Sequence, residues 1–467
     1  MNEQRASALQ ILRAQQEGDL SRLREFLAVP SISTEPERSS DVRRAAEWLA
    51  EELRRLAIPR VEIMETGGHP VVFAETGSAP SGGPSVLVYG HYDVQPVDPL
   101  ELWEQDPFEP VVAGPHLVAR GASDMKGQIM AVMSAVAAIF HSGEAPVGIR
   151  FLFEGEEEIG SPHLAGFLQQ HRELLQADLC LNPDTGMLGE GMPTITYGLR
   201  GLAYFELRLR GPARDLHSGA FGGVVHNPAQ VLCELVAGMH DQRGRVVLPG
   251  FYDRVRPLEA EERAEMARLP MDEGFYKRNA GVSELWGEEG FSAVERIGAR
   301  PTLEVNGLLS GFTGPGTKTV LPATAMAKLS MRLVPDQTPD QVEAQLRAYL
   351  SERVPPTIRW ELDRLAGSPP SLSDRASPGV TALSAAMETV WGTPPLFRRE
   401  GGSVPVTAYL QEFLGMESVL TGFALPDDNA HSPNERLHLP TWKRGREAIV
   451  HFLYNLAENQ SASIKNL

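Results

Sequence analysis

Residues 84–96 read PSVLVYGHYDVQP: an apolar run, Val86-Leu87-Val88-Tyr89, that stops at Gly90 and is followed at once by His91 and Asp93. An apolar stretch of that length, bounded by turn residues, reads as a strand buried on both faces, as in a parallel sheet. Two further stretches repeat the pattern. VGIRFLFEGEEE (147–158) and ADLCLNPD (177–184) are apolar strands that end in carboxylates. Between the first two lies the longest apolar run of the chain, Ile129 to Phe140, too short to span a bilayer and read as a buried helix. Strands alternating with helices predict an α/β layer with a largely parallel sheet. VEIM (61–64) and HPVVFAE (69–75) read as more strands. Glu37–Leu56, the segment before Val29 and His163–Leu175 read as helices, and GSAPSGGP (77–84) as a loop.

The texture changes near Thr194. TITYGLRGLAYFELRLRG (194–211) shows strand alternation, Asn227–His240 reads as a helix, and LEVNGLLSG and AMAKLSMRLVP read as strands. TPDQVEAQLRAYLSERV reads as a second helix, which makes a small α+β unit with two helices on an antiparallel sheet. Residues 250–300 are charged and irregular, like an insertion. From Ser373 the α/β texture returns. The expected organisation is one domain formed by 1–198 and 367–467, interrupted by a smaller domain at 199–366. A length of 467 residues suits two domains.

With 61 acidic against 43 basic residues the formal charge is −18, which argues against a nucleic-acid partner, since a phosphate backbone wants a basic face. The N-terminal twenty residues carry charges and no apolar core, so they are not read as a secretory signal, and no membrane partner is expected. Cys180 and Cys233 each follow apolar neighbours and are read as buried free thiols, which suits a reducing, cytoplasmic location.

Five positions carry chemistry. Ligands of open α/β sheets sit beyond the carboxyl ends of the strands. His91, the Glu157-Glu158 pair and Asp184 all fall at such ends. Asp93 can face the same way as His91 and orient it. Asp124, in GASDMKG, stands where a loop turns into the long helix; His431 lies in DDNAHSPNE. Taken singly, each has a plainer reading: a loop histidine, a helix-capping aspartate, a solvated acidic loop, a surface turn. Together, two histidines and three carboxylates suffice for two metal ions if one carboxylate bridges, and an adjacent carboxylate remains to serve as a base.

The motifs HYDVQP, RGASDMKGQ, FEGEEEIGS, TYGLRG, DLHSG, KTVLP, MRLVPD, REGGSVPVT and DDNAHSPNE, in this order along nearly the whole chain, resemble those of the co-catalytic zinc peptidases. That family includes dipeptidases, aminoacylases, and acetylornithine and succinyl-diaminopimelate deacylases; the resemblance is strongest to its cytosolic dipeptidases. It implies a catalytic domain with a mostly parallel mixed sheet flanked by helices. An inserted ferredoxin-like α+β domain would serve as lid and dimerisation surface. It further implies cleavage of dipeptide amide bonds with two Zn2+ per subunit, Mn2+ or Co2+ being substitutes. His91 and Asp184 would hold one ion, Glu158 and His431 the other, with Asp124 bridging and Asp93 orienting His91. Glu157 would be the general base, and the peptide bond after Asp124 would be cis. His217 would reach the active site of the partner subunit in a homodimer. Arg332, Thr319 and Ser403 would hold the substrate carboxylate or its surroundings, and Arg200 would support the hinge or the site. A third glutamate, Glu156, precedes the pair; Ile159-Gly160-Ser161 after Glu158 sets the register. A deacylase or carboxypeptidase of the same family is the alternative reading, and a non-catalytic metal-binding protein on the same fold is another.

Overall fold

The structure, a computed structural model, describes residues 2–77 and 82–465, with side chains up to residue 459. Of the loop read at 77–84, residues 78–81 lie outside the described residues. The chain divides into two compact units. One comprises Met1–Tyr197, Ser373–Arg398 and Tyr409–Leu467; the other comprises Gly198–Leu372 and Arg399–Ala408.

The first unit is built on a mixed sheet. Its strands lie in the order Arg60–Met64, Val71–Glu75, Gly148–Glu154, Ser85–His91, Leu179–Asn182, Ser418–Leu420, Thr194–Leu199. The middle four run parallel, and the flanking pairs are antiparallel. Val86, Leu87, Val88 and Tyr89 are all buried, as a sheet covered on both faces requires. Part of that cover is the helix Lys126–Ser142, buried without a break from Lys126 to Ile139. A helix apolar all round has to lie inside; it packs against the helices Asn2–Ala14 and Leu439–Lys465. The register sets His91 opposite Glu154 and Val88 opposite Leu181, so the carboxyl ends of three parallel strands stand side by side.

The second unit carries an antiparallel sheet ordered Thr302–Ser310, Thr324–Leu333, Gly201–Arg210, Arg359–Ser368. Ala325, Ala327, Leu329, Met331 and Leu333 alternate onto one face and are buried there. Helices Pro228–Ala237 and Pro339–Arg353 pack against this sheet.

Three expectations are corrected. The stretch 194–211 is two strands: Thr194–Leu199 is buried throughout, and only Gly201–Arg210 alternates. Arg200 separates them, its backbone N–H bonded to Gly402 O. Residues 250–300 are not irregular. They form the helices Ala260–Met266, Glu273–Ala280 and Ala293–Ala299. Each is too short for a clear helical period, but Ser292 and Glu295 form a capping box that marks the last. Cys233 is exposed, whereas Cys180 is buried. Cys233 lies on the helix Pro228–Ala237, whose buried face is made by Val231, Leu232 and Leu235. Apolar neighbours in sequence therefore do not bury it.

Candidate metal centre

Each of the five predicted ligands arrives from its own segment of the first unit. His91 is the last residue of its strand. Glu157 and Glu158 begin a single 3-10 turn directly after Gly148–Glu154. Asp184 follows Leu179–Asn182, and its N–H is held by Asn182 Oδ1 at 2.9 Å. Asp124 immediately precedes a cis peptide bond to Met125. It does not cap the helix: Met125 takes that place, and its side chain makes no capping bond. His431 sits in the loop before Arg436–His438, with φ +61°.

These residues converge. His91 Nε2 lies 3.1 Å from Asp124 Oδ1 and 3.6 Å from Asp184 Oδ1. His431 Nε2 lies 2.8 Å from Asp124 Oδ2 and 3.4 Å from Glu158 Oε2. Two three-residue groups result, His91–Asp124–Asp184 and Asp124–Glu158–His431, each with ligand atoms within 4.8 Å of one another. Asp124 belongs to both, one carboxylate oxygen toward each.

The surroundings favour positive charge at this point. His91 Nδ1 faces Asp93 O at 3.1 Å and Asp93 Oδ1 at 3.4 Å, so Nδ1 is the nitrogen that carries the proton. Nε2 then faces two carboxylates, an arrangement that needs a positive charge between them, a proton or a metal ion. Burial opposes a charge on His91, but Asp184 and hydrogen bonds to Asp124, Asp184 and Asp93 drive its pKa well above the usual value. The bond to Asp124 pushes His431 up to about 9. Burial, then the charge of Asp124, pushes Glu158 up to about 8. Burial disfavours the charge on Asp124 too, yet bonds from His431 and His91 hold its carboxyl well below the usual range. The oxygen and imidazole donors, the short separations and this demand for positive charge fit a pair of divalent ions of the Zn2+, Mn2+ or Co2+ kind.

Glu157 belongs to neither group among the described residues. Its carboxyl is raised well above the ordinary value, by burial first and then by the charges of Asp184, Glu158 and Asp124, with His91 opposing. Its N–H and that of Glu158 both bond to the Asp93 carboxylate, at 3.3 and 3.1 Å. Asp93 thus supports His91 and the glutamate turn together, and Ser33 Oγ fixes it at 2.6 Å. Glu156 is engaged elsewhere: it accepts the His69 N–H at 3.0 Å and pairs with His163 at 2.8 Å.

The remaining candidates lie in the second unit. Arg332 Nη1 donates to Ser403 Oγ at 2.9 Å, and Ser403 Oγ donates to Arg200 O. Burial lowers the pKa of Arg200 to about 10, and Arg332 adds to the effect. His217 is exposed and accepts the Gly219 N–H on Nδ1 at 3.0 Å, which leaves Nε2–H as a donor. Thr319 is exposed beside it: the next residue, Val320, pairs with His217.

Sequence reasoning did not single out four supporting residues. Ser33 holds Asp93, and Gln95 Nε2 donates to Glu158 Oε2 at 2.7 Å. Asp428 accepts from Ser123 Oγ at 2.9 Å. Glu435 is fully buried and accepts from Arg120 Nη1 and from the N–H groups of Gly121, Ser123 and Asp124, all at 2.8–3.0 Å. Gln95, Asp428 and Glu435 stand inside motifs quoted above, but an acidic loop residue carries no mark in the sequence that it will be buried.

Residues 87–455 match the family described as Peptidase family M20/M25/M40. The chain is 31% identical to a Beta-Ala-His dipeptidase of Homo sapiens, over 93% of this chain and 89% of that protein. It is 30% identical to the Cys-Gly metallodipeptidase DUG1 of Saccharomyces cerevisiae, over 94% and 95%. Among solved structures it is similar to the di-peptidase Dug1p of Saccharomyces cerevisiae (TM-score 0.80, 29% identity, 98% and 99% of the two chains covered). It is also similar to the metallo-carboxypeptidase Sso-CP2 of Sulfolobus solfataricus (TM-score 0.84, 34% identity, 94% and 99% covered).

Proposed function

The chain belongs to Peptidase family M20/M25/M40, and on that premise we propose that it is a two-metal dipeptidase. One observation carries this reading: Asp124 is shared by two ligand groups while Glu157 stands outside both. His91 and Asp184 would hold one ion, Glu158 and His431 the other, and Asp124 both. Bound there, two divalent ions would supply Lewis acidity and a water of lowered pKa.

The chain's own residues do the rest. Asp93 orients the His91 ring. Glu157 takes the proton from the attacking water as its oxygen adds to the scissile carbonyl carbon, then passes that proton to the amide nitrogen as the C–N bond breaks. Arg332 and Ser403, already bonded to each other, are suited to grip the substrate carboxylate, with Thr319 near it; the planar guanidinium can bind it in two places. His217, whose Nδ1 accepts from Gly219 and leaves Nε2–H to donate, would donate to the oxyanion in the site of a partner subunit. We therefore propose a homodimer. The relatives' dipeptidase names support action on small peptides, and a sequence with two cysteines suits a reducing, cytoplasmic location.

A carboxypeptidase is the second reading, favoured by the similarity to Sso-CP2. The test is hydrolysis by protein reconstituted with Zn2+, Mn2+ or Co2+, against a panel of dipeptides, longer peptides, and N-acetyl and N-succinyl amino acids. Dipeptides are expected to be cleaved fastest. Preference for longer peptides would favour the carboxypeptidase, preference for acyl amino acids a deacylase, and no turnover with any metal would end the proposal.

A further inference from the structure

His431 lies in a loop bounded by two buried carboxylates. Asp428, three residues before it, is 1% exposed; Glu435, four residues after it, is 0% exposed. Both reach across to the segment that carries Asp124. Asp428 Oδ2 accepts from Ser123 Oγ at 2.9 Å and from Leu425 N–H at 2.7 Å. Glu435 does more. Its Oε2 accepts from Arg120 Nη1 at 2.8 Å and Gly121 N–H at 2.9 Å; its Oε1 accepts from Ser123 N–H at 2.9 Å and Asp124 N–H at 3.0 Å. Ala119 N–H bonds to Glu435 O, which adds a main-chain tie between the same two segments. Arg120 is itself buried and anchored to Pro96 O at 2.9 Å.

The loop between these anchors does not hold its shape by default. Asn429, His431 and Asn434 all have φ near +60°, a left-handed region that asparagine and histidine enter more readily than other side chains but still at a cost, so the anchors at either end help to hold it. Glu435 is a short step from His431 along the chain and bonds directly to the backbone of Asp124. It is thus the group that joins the two residues whose side chains meet at 2.8 Å.

We propose that Glu435 is a positioning residue for the metal pair, setting the separation of His431 from Asp124. It touches neither substrate nor metal and acts through those two ligands. The proposal rests on the metal-site reading above. The chemistry calls for a carboxylate in particular, because all four groups facing the two oxygens are donors. Glutamine has the same shape but would turn an NH2 donor against two of them.

Metal-free wild type, Glu435→Gln and Glu435→Asp are titrated with Co2+. Stoichiometry is read by equilibrium dialysis, geometry by the visible Co2+ spectrum, and folding by the melt of the metal-free protein. Asp19→Asn, a carboxylate in the same unit that is bonded to Arg446 and outside the ligand groups, is the control for simple loss of stability. Wild type is expected to bind two Co2+. Glu435→Gln is expected to bind the second ion ~10–100-fold more weakly with an altered spectrum, as second-layer partners of metal ligands do. Glu435→Asp should fall between the two, and Asp19→Asn should bind as wild type does. Wild-type affinity and spectrum in Glu435→Gln would overturn the proposal. If Glu435→Gln does not fold, Glu435→Asp decides: a lowered melt with unchanged Co2+ binding overturns it. Failure of wild type to bind Co2+ would overturn the metal reading and this proposal together, whereas wild-type binding with unchanged variants overturns this proposal alone.

Discussion

Two adjacent side chains at the site are given different partners by their surroundings. Glu157 and Glu158 are adjacent in sequence, yet Glu158 meets His431 at 3.4 Å and Gln95 at 2.7 Å while Glu157 joins no ligand group. On the proposed mechanism, Glu157→Gln removes the proton acceptor and leaves every proposed ligand in place. Metal content should stay at the wild-type level while kcat falls by ~10²–10⁴-fold, the usual contribution of a positioned general base. Turnover within a few-fold of wild type would assign the base elsewhere. Glu154, just before this turn, is a different case. Burial pushes its carboxyl from 4.5 up to about 8, against the bonds it accepts from Tyr89 at 2.7 Å and Ser161 at 3.0 Å. Across that window the native protein keeps a proton that the unfolded chain has released, so stability falls as pH rises from the lower value to the higher. Glu154→Gln has no proton to lose. Thermal melts of metal-free protein should show the variant gaining on wild type between about pH 5 and pH 8; a constant difference across that range would refute the account.

At the scale of elements, the site depends on how the helix Lys126–Ser142 starts. Gly127 sits in its first turn, where alanine is intrinsically the better helix former by ~1 kcal/mol. A Cβ there would come 2.0 Å from Ala122 O and 2.8 Å from Leu437 Cδ2. The first contact is with backbone, which cannot swing aside as a side-chain tip can, and forcing it costs about 1–3 kcal/mol. The clash therefore outweighs the propensity. Gly127→Ala should lower the Tm, and because Ala122 is two residues from Asp124 it should also weaken metal retention during dialysis against chelator. A Tm at or above wild type would show that the loop yields.

At the scale of the whole molecule, the two units have separate cores. One runs from Ala8 to Ala457 through the parallel-sheet unit; the other, from Ala203 to Leu362, lies in the antiparallel-sheet unit. All five proposed metal ligands belong to the first. An ion that binds the native state at 100 times its Kd adds about 2.7 kcal/mol to the unit that holds it. Calorimetry of the metal-free protein is expected to resolve two transitions, of which added Zn2+ raises one and leaves the other in place. A single transition that moves as a whole would contradict independent cores.

Much of this was legible before any coordinates. Apolar strands such as Val86–Tyr89 and the helix around Ile129 declare themselves because continuous hydrophobicity has only one stable destination, the interior. That three of them end in His91, Glu157-Glu158 and Asp184 already pointed to one edge of a parallel sheet. The short helices between residues 250 and 300 were hidden, because one or two turns show no period and tertiary packing outweighs propensity at that length. So was the exposure of Cys233, which depends on which helix face meets the sheet. Which glutamate of the run 156–158 meets His431 and which pairs with His163 follows from the 3-10 turn, a backbone detail that a row of identical residues does not display. Glu435 could not have been read at all: its burial and its four donors come from residues more than three hundred positions away. Local pattern determines what a segment must hide, whereas only the folded chain decides which distant backbone groups gather around a buried carboxylate.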